Sequence, residues 1–361
     1  MDDNIKFGII GTGRMAITML HAMREISEID VIAVGSGSID RAREFAHRFG
    51  ISASYGNLEE FLGNDAISAV YIANRNIEHC ATAIAALSAG KAVLCEKPFA
   101  INMKEGQEVL FAARSSRRLF MEAMWTPLLP AYMRLRELVQ SGSFGRPTHL
   151  HFNFGYPTSA QSNPMLFTAT GGGVLLDRSG YGIALALAIL GDVQAVDATL
   201  SVNDDGVDIG AALQLAHRTG GQSQLGFSLN SLMSNAATVA CEGGMVGLMP
   251  PTIGAEIVFY QHMSAILPMR SAVNGIGMKQ RIIRSLRRNS FTRRAKNAVS
   301  GPKTEYHTFG VNPYAPSVRH FIKLLRTEEL ESNIITMDSS LAALRIIEAA
   351  KDMRLNRDQC L

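Results

Sequence analysis

Short apolar runs recur through the first third of the chain, each followed by a turn signal and then by apolar positions at helical spacing. Runs at 5–10, 31–34, 69–73, 92–95 and 119–122 predict strands, and 41–49, 55–62, 77–89 and 102–115 predict the helices between them. Asp40 is the expected cap of the helix at 41–49, and Gly90 ends the one at 77–89. Such regular alternation implies an α/β fold with a parallel, doubly wound sheet. Beyond residue 124 the rhythm changes. Residues 148–156 alternate, with Leu150, Phe152 and Phe154 on one face and His149, His151 and Asn153 on the other. An apolar helix follows a glycine-rich turn and runs to Leu190, with Gly191 past its end. Alternating segments at 193–202, 209–217, 222–230, 236–241 and 256–261 are separated by turns such as Asn203-Asp204-Asp205-Gly206, as in antiparallel hairpins. Helical patterns close the chain at 313–326 and 339–353, the second with Asp338, Ser339 and Ser340 as candidate caps. The chain therefore divides into 1–124, a doubly wound parallel-sheet domain, and 125–361, a second α/β domain.

Composition adds limits. A chain of 361 residues has room for two cores, and 47% apolar with 19% charged residues describes an ordinary globular protein. No run has the length of a membrane span, and the first strand starts by Ile5, so neither anchor nor signal peptide is expected. Cys80, Cys95, Cys241 and Cys360 show neither metal spacing nor a disulfide framework, which suits a cytoplasmic protein. The net charge of +3 hides a basic segment at 264–303 with ten Lys and Arg and no Asp or Glu, so the rest of the chain is mildly acidic. Met278, Ile282, Ile283 and Leu286 share one helical face there. An insertion packing that stripe on the subunit or its mate is the favoured reading; a membrane surface, nucleic acid or an acidic partner are the alternatives.

The chemistry gathers at three stretches. Gly11-Thr12-Gly13-Arg14-Met15-Ala16 follows the first strand and has the G-x-G-x-x-A form of a dinucleotide fingerprint. Gly11 permits the tight turn, Gly13 lets the backbone approach a pyrophosphate, Ala16 allows close helix packing, and the helix N-terminus faces the phosphates. The second strand ends in Gly35-Ser36-Gly37-Ser38 without the carboxylate that usually grips the adenosine ribose. Ser36, Ser38 and Arg41 suit a 2′-phosphate instead, so NADP(H) is favoured over NAD(H). Lys97 follows the strand 92–95, where sheets of this kind bind ligands, and Pro98 forces the chain out of the sheet. Asp177 and Tyr181 lie four apart on an apolar helix and need a polar destination, a shared substrate site or a buried pair. His149 and His151 have no acidic or Cys partner nearby, so a polar sheet face is preferred to a metal pair, and no metal is expected.

These stretches resemble the Gfo/Idh/MocA oxidoreductases: the glycine motif, then Asn76-x-x-His79, then Ala89-Gly90-Lys91-Ala92-Val93-Leu94-Cys95-Glu96-Lys97-Pro98. Glu122-Ala123-Met124-Trp125-Thr126 is similar to the branch holding dimeric dihydrodiol dehydrogenases and NADP-dependent D-xylose dehydrogenases. The resemblance implies a C-terminal domain on an open, mainly antiparallel sheet that mediates homodimers or homotetramers. It implies hydride transfer between NADP(H) and a sugar, polyol or cyclic diol, with Lys97 as the lysine beside the nicotinamide. Asp177 and Tyr181 would then complete the catalytic set, with Tyr181 as acid/base. Asn74, Asn76, His79, Glu96 and Trp125 would join the fingerprint residues at the cofactor, and Trp125, Phe154 and Arg178 would line the substrate site. Two positions depart from that branch. Pro127 stands where it tends to have arginine, and Arg178 where relatives often have an aliphatic residue, free to bind an acidic substrate or to pair at a subunit contact. Membrane and nucleic-acid partners are not expected. A non-catalytic cofactor sensor of the same fold is the alternative.

Overall fold

The computed structural model describes residues 4–263 and 301–358; most of the basic segment lies outside them. The first half builds β1 (Ile5–Ile10), α1 (Arg14–Arg24), β2 (Ile29–Gly35), α2 (Ile39–Phe49), β3 (Ala53–Tyr55), α3 (Leu58–Leu62), β4 (Ala69–Ile72), α4 (His79–Ser88), β5 (Ala92–Cys95), α5 (Met103–Ser116) and β6 (Phe120–Glu122). The strands form one parallel sheet in the order β3-β2-β1-β4-β5-β6. Chain order reverses beside β1, which opens a crevice at the carboxyl ends of β1 and β4. The three-residue β3 was not predicted, because Ala53-Ser54-Tyr55 carries no apolar run. The cap of α2 also differs from expectation. Ser38 takes that role, accepting from the Arg41 amide, and Asp40 lies in the first turn.

After α6 (Pro130–Gln140) come β7 (Pro147–Gly155), α7 (Gly180–Leu190), β8 (Val193–Val202), β9 (Asp208–His217), β10 (Gln222–Ser228), β11 (Ala237–Cys241), β12 (Gly244–Leu248), β13 (Ile257–His262) and β14 (Lys303–Tyr306). They form an eight-stranded sheet, β14-β13-β12-β11-β7-β10-β9-β8, antiparallel except where β10 runs parallel to β7. Two further helices follow, α8 (Ala315–Arg326) and α9 (Met337–Asp358). The strand β12 escaped the sequence pattern because two of its five residues are glycine; at Gly247 a Cβ would stand 2.4 Å from the Phe259 ring.

One face of this sheet carries α7. Its Gly182 lies so close that a Cβ would sit 2.8 Å from Phe152 and 2.9 Å from Phe227. That approach lowers the start of the helix into the space between the two sheets. The helix is entered through one π-helical turn, Leu175–Ser179, which widens the spacing around Asp177. Thr336, not Asp338, caps α9 by accepting from the Ser339 amide at 3.0 Å. Among the described residues no helix is long and apolar enough to cross a membrane.

Candidate active site

Lys97 follows β5 at the carboxyl end of the parallel sheet, two residues past Cys95. Three buried side chains hold the backbone around it. Glu96 accepts from the Tyr71 hydroxyl at 2.6 Å and from the Lys97 amide at 3.3 Å. His79 Nδ1 is 2.8 Å from the Pro98 carbonyl, which only an N–H can satisfy, so the proton belongs on Nδ1. Burial holds the His79 imidazole below its ordinary pKa despite the carbonyls of Pro98 and Asn74, so the ring is neutral at pH 7. Glu122 accepts from the Phe99 amide at 3.3 Å and from the Ser340 hydroxyl of α9 at 2.6 Å. The Lys97–Pro98 peptide is cis.

The Lys97 ammonium reaches across to the second half of the chain. It donates to Asp177 Oδ1 at 2.9 Å and to the Asp177 carbonyl at 2.8 Å. Among the described residues that leaves one of its three donors for another acceptor. The same ammonium lies 5.2 Å from the centre of the Tyr181 ring. Burial alone would lower the Lys97 pKa, but Asp177 and Tyr181 outweigh it and push it up. For Asp177 burial opposes ionisation, and Lys97 with Arg178 overcomes it, so the carboxylate is held below its ordinary range. Tyr181 goes the other way. Burial raises its pKa more than the Lys97 charge lowers it, so the phenol keeps its proton at neutral pH. Desolvation in this pocket thus outweighs the pull of the Lys97 ammonium toward a phenolate.

Aromatic rings enclose the trio. Trp125 meets Tyr181 edge-on at 6.4 Å, and Phe154 does so at 5.6 Å. Trp125 is only 6% exposed. Tyr314, at the entrance to α8, packs 4.8 Å from Trp125. Burial and the charges of Tyr181 and Glu96 push the Tyr314 phenol up, while Lys97 and Arg14 oppose them. Sequence reading missed Tyr314, because a tyrosine before a helix has no local mark of a site. Arg178 corrects its own expectation. The side chain is buried, with Nη1 donating to the Tyr156 carbonyl at 2.9 Å and to the Ser228 carbonyl, so it is not held out toward substrate.

The dinucleotide motif borders an adjoining cleft of about 960 Å³, together with Ser36, Arg41 and Asn74. Three features fit a bound dinucleotide. Gly11 has φ +116°, and a Cβ there would meet the Ala73 carbonyl oxygen at 2.3 Å, so the tight turn requires glycine. A Cβ on Gly13 would meet nothing within 4 Å, and no side chain caps α1, so its first amides face open space. Asn74 Oδ1 is buried without a partner beside this cleft, an acceptor awaiting a donor. Thr12 and Ser36 line the cleft directly. Ser38 instead spends its oxygen on the α2 cap, and Asn76 donates to the Gly171 carbonyl at 2.9 Å, clasping the two halves of the chain. Arg14 and Met15 form the first turn of α1. Among the described residues no group of three or more His, Cys, Asp or Glu is placed to hold a metal.

Residues 5–124 match the oxidoreductase family with an NAD-binding Rossmann fold, Gfo/Idh/MocA, and residues 132–247 match the C-terminal domain of that family. The chain is 31% identical over 258 residues to trans-1,2-dihydrobenzene-1,2-diol dehydrogenase of Mus musculus, covering 70% of this chain and 77% of that one. Among solved structures, a 3-ketoreductase from Actinomadura kijaniata in complex with NADP and TDP-benzene superposes with TM-score 0.77 at 23% identity, covering 97% of each chain. An oxidoreductase from Agrobacterium radiobacter in complex with NAD+, L-tartaric acid and magnesium gives TM-score 0.76 at 16% identity over 97% of this chain and 96% of that one.

Proposed function

The chain belongs to the Gfo/Idh/MocA family of oxidoreductases, and from that membership we propose that it moves a hydride between NADP(H) and a hydroxyl or carbonyl carbon of a sugar, polyol or cyclic diol. The observation that carries this reading is Lys97, held 2.9 Å from Asp177 with its ammonium 5.2 Å from the centre of the Tyr181 ring. The nicotinamide would supply the hydride chemistry; the chain's residues handle binding, charge and the proton. In the direction of reduction, Tyr181 enters protonated and is the donor to the forming hydroxyl, while the free donor of Lys97 stabilises negative charge on that oxygen. Asp177 fixes the ammonium in place. The enclosing rings of Trp125 and Phe154 suit a substrate with an apolar ring face.

The NADP preference rests on Ser36 and Arg41 at the cleft and on the missing carboxylate after β2. We take the division of the chain at residue 124, just after β6, and assign 125–361 to substrate binding and to assembly of a homodimer or homotetramer through the eight-stranded sheet. A cytoplasmic setting fits Cys80, Cys95 and Cys241, which are free thiols among the described residues.

Substitution of Lys97 is the direct test. Lys97→Met should lower turnover about 10²–10⁴-fold while NADP still binds, read by cofactor reduction across sugars and diols and by titration of cofactor fluorescence. Near-normal turnover in that variant would sink the assignment. Cofactor binding by the unaltered protein with no turnover on any substrate would instead favour a non-catalytic sensor.

A further inference from the structure

Arg178 is a charged side chain that the proposed chemistry does not use, yet it is 6% exposed and lies next to Asp177. Its surroundings explain where its donors go. Nη1 donates to two backbone carbonyls, Tyr156 just past β7 and Ser228 at the end of β10. The guanidinium also lies 5.0 Å from the centre of the Phe154 ring. These contacts mount it on the parallel pair β7 and β10, where Phe154 stands opposite Phe227 and Gly155 opposite Ser228. Nε is left without a hydrogen bond and points at the far oxygen of Asp177, with 3.6 Å between Nε and Oδ2. The near oxygen, Oδ1, belongs to Lys97 at 2.9 Å. One carboxylate thus stands between two cations, each on its own oxygen.

We infer that Arg178 is a positioning residue: from its mount on β7 and β10 it holds the second oxygen of Asp177, so that the carboxylate stays ionised and aligned on Lys97. The inference rests on the Lys97–Asp177–Tyr181 reading above. Two consequences follow from the charges. Asp177 fixes Lys97 while the nearby Arg178 charge repels it, so the net hold on the ammonium is weaker than in an isolated pair. The cluster also keeps one positive charge in excess when Asp177 is ionised. The groups facing Asp177 are Lys97 from the loop after β5, Arg178 and Tyr181 from its own helical segment, and beyond Tyr181 the carboxyl of Glu96 and the phenol of Tyr314. Glu96 titrates near neutrality, so any acid limb belonging to Asp177 is sought below about pH 6.

The test uses the full chain with Arg178→Gln, which keeps an N–H donor without the charge, and Arg178→Lys, which keeps the charge. With Arg178→Gln the acid limb of kcat/KM below pH 6 should move up by about one pH unit, and Arg178→Lys should restore most of it. Melting curves separate this from loss of the carbonyl mount, which lowers stability without moving the limb. An unmoved limb in folded Arg178→Gln overturns the proposal. Should neither variant fold, Lys97→Met leaves the mount intact, and carbon-13 NMR of its aspartates, with Asp177 assigned by Asp177→Asn, gives the answer. The proposal expects Asp177 there to remain ionised at pH 7, held by Arg178 against burial; an Asp177 carboxyl still protonated at pH 7 overturns it. Retained turnover in Lys97→Met would instead remove the catalytic reading itself.

Discussion

Glu96 lies within the protein, 6% exposed, with the Tyr71 hydroxyl 2.6 Å from its carboxylate. Burial raises its pKa to about 7, a larger effect than the lowering by Tyr71 and Lys97. An acid raised on folding stabilises the native state most at low pH. As pH rises from the ordinary carboxyl range toward 7, the unfolded chain ionises first, and stability on the order of 3 kcal/mol is lost across that window. Glu96→Gln cannot ionise, so its melting temperature should gain on wild type between pH 5 and pH 8; a constant difference over that range would show that burial of Glu96 does not control it. Arg41 is the opposite case, an exposed side chain at the rim of the dinucleotide cleft. Arg41→Ala should raise KM for NADP+ about tenfold, as loss of one charge-assisted contact does, and leave NAD+ nearly unchanged. Equal effects on both cofactors would dispose of the 2′-phosphate reading.

Elements whose signals are local were legible in the chain. Gly11 and Gly13 can be read because a tight turn and an open helix start depend on a few consecutive residues, and Lys97 can be read because Pro98 ends its strand. Asp177 and Tyr181 are four apart, a spacing that keeps two side chains near one face in α- and π-helical turns alike, so their common orientation survives the π-helical turn that the sequence did not announce. What failed was non-local. The parallel pairing of β10 with β7 depends on how the chain returns to the sheet, not on either strand's alternation. Ser38 and Asp40 are both good caps by type, and only the backbone geometry chose Ser38. The partners of Glu122 and Arg178 lie 218 and 50 residues away along the chain, at Ser340 and Ser228. Buried charges near an active site are visible in a sequence as residue types, but what neutralises them is a property of the fold. That is why Arg178 looked like a substrate ligand and proved to be mounted on two strand ends.

At the scale of the molecule, α9 joins the second half of the chain to the underside of the Rossmann sheet. Its Glu348 carboxylate accepts from the Met103 amide at 2.7 Å, supplementing the N-terminus of α5, and its Ser340 holds Glu122. The contact between α5 and α9 depends on Gly106. A Cβ there would stand 2.7 Å from Leu341 Cδ2, 2.8 Å from Leu344 Cδ1 and 3.3 Å from the Phe99 ring. Phe99 is two residues from Lys97, so this seam also backs the Lys97 loop. Gly106→Ala improves helix propensity by about 1 kcal/mol, but crowding against the leucine ends costs about 1–3 kcal/mol, so a modest net loss is expected. Leu344, 3% exposed, leaves a hole when cut to alanine and should cost about 2–5 kcal/mol. The double variant decides whether the two residues share one space. If the new methyl fills part of the hole, Gly106→Ala with Leu344→Ala should be more stable than the sum of the single losses predicts, by roughly 0.5–3 kcal/mol in urea unfolding. Strict additivity would mean that α5 and α9 do not press on each other at Gly106, and that the strap beneath the Lys97 loop is looser than its distances imply.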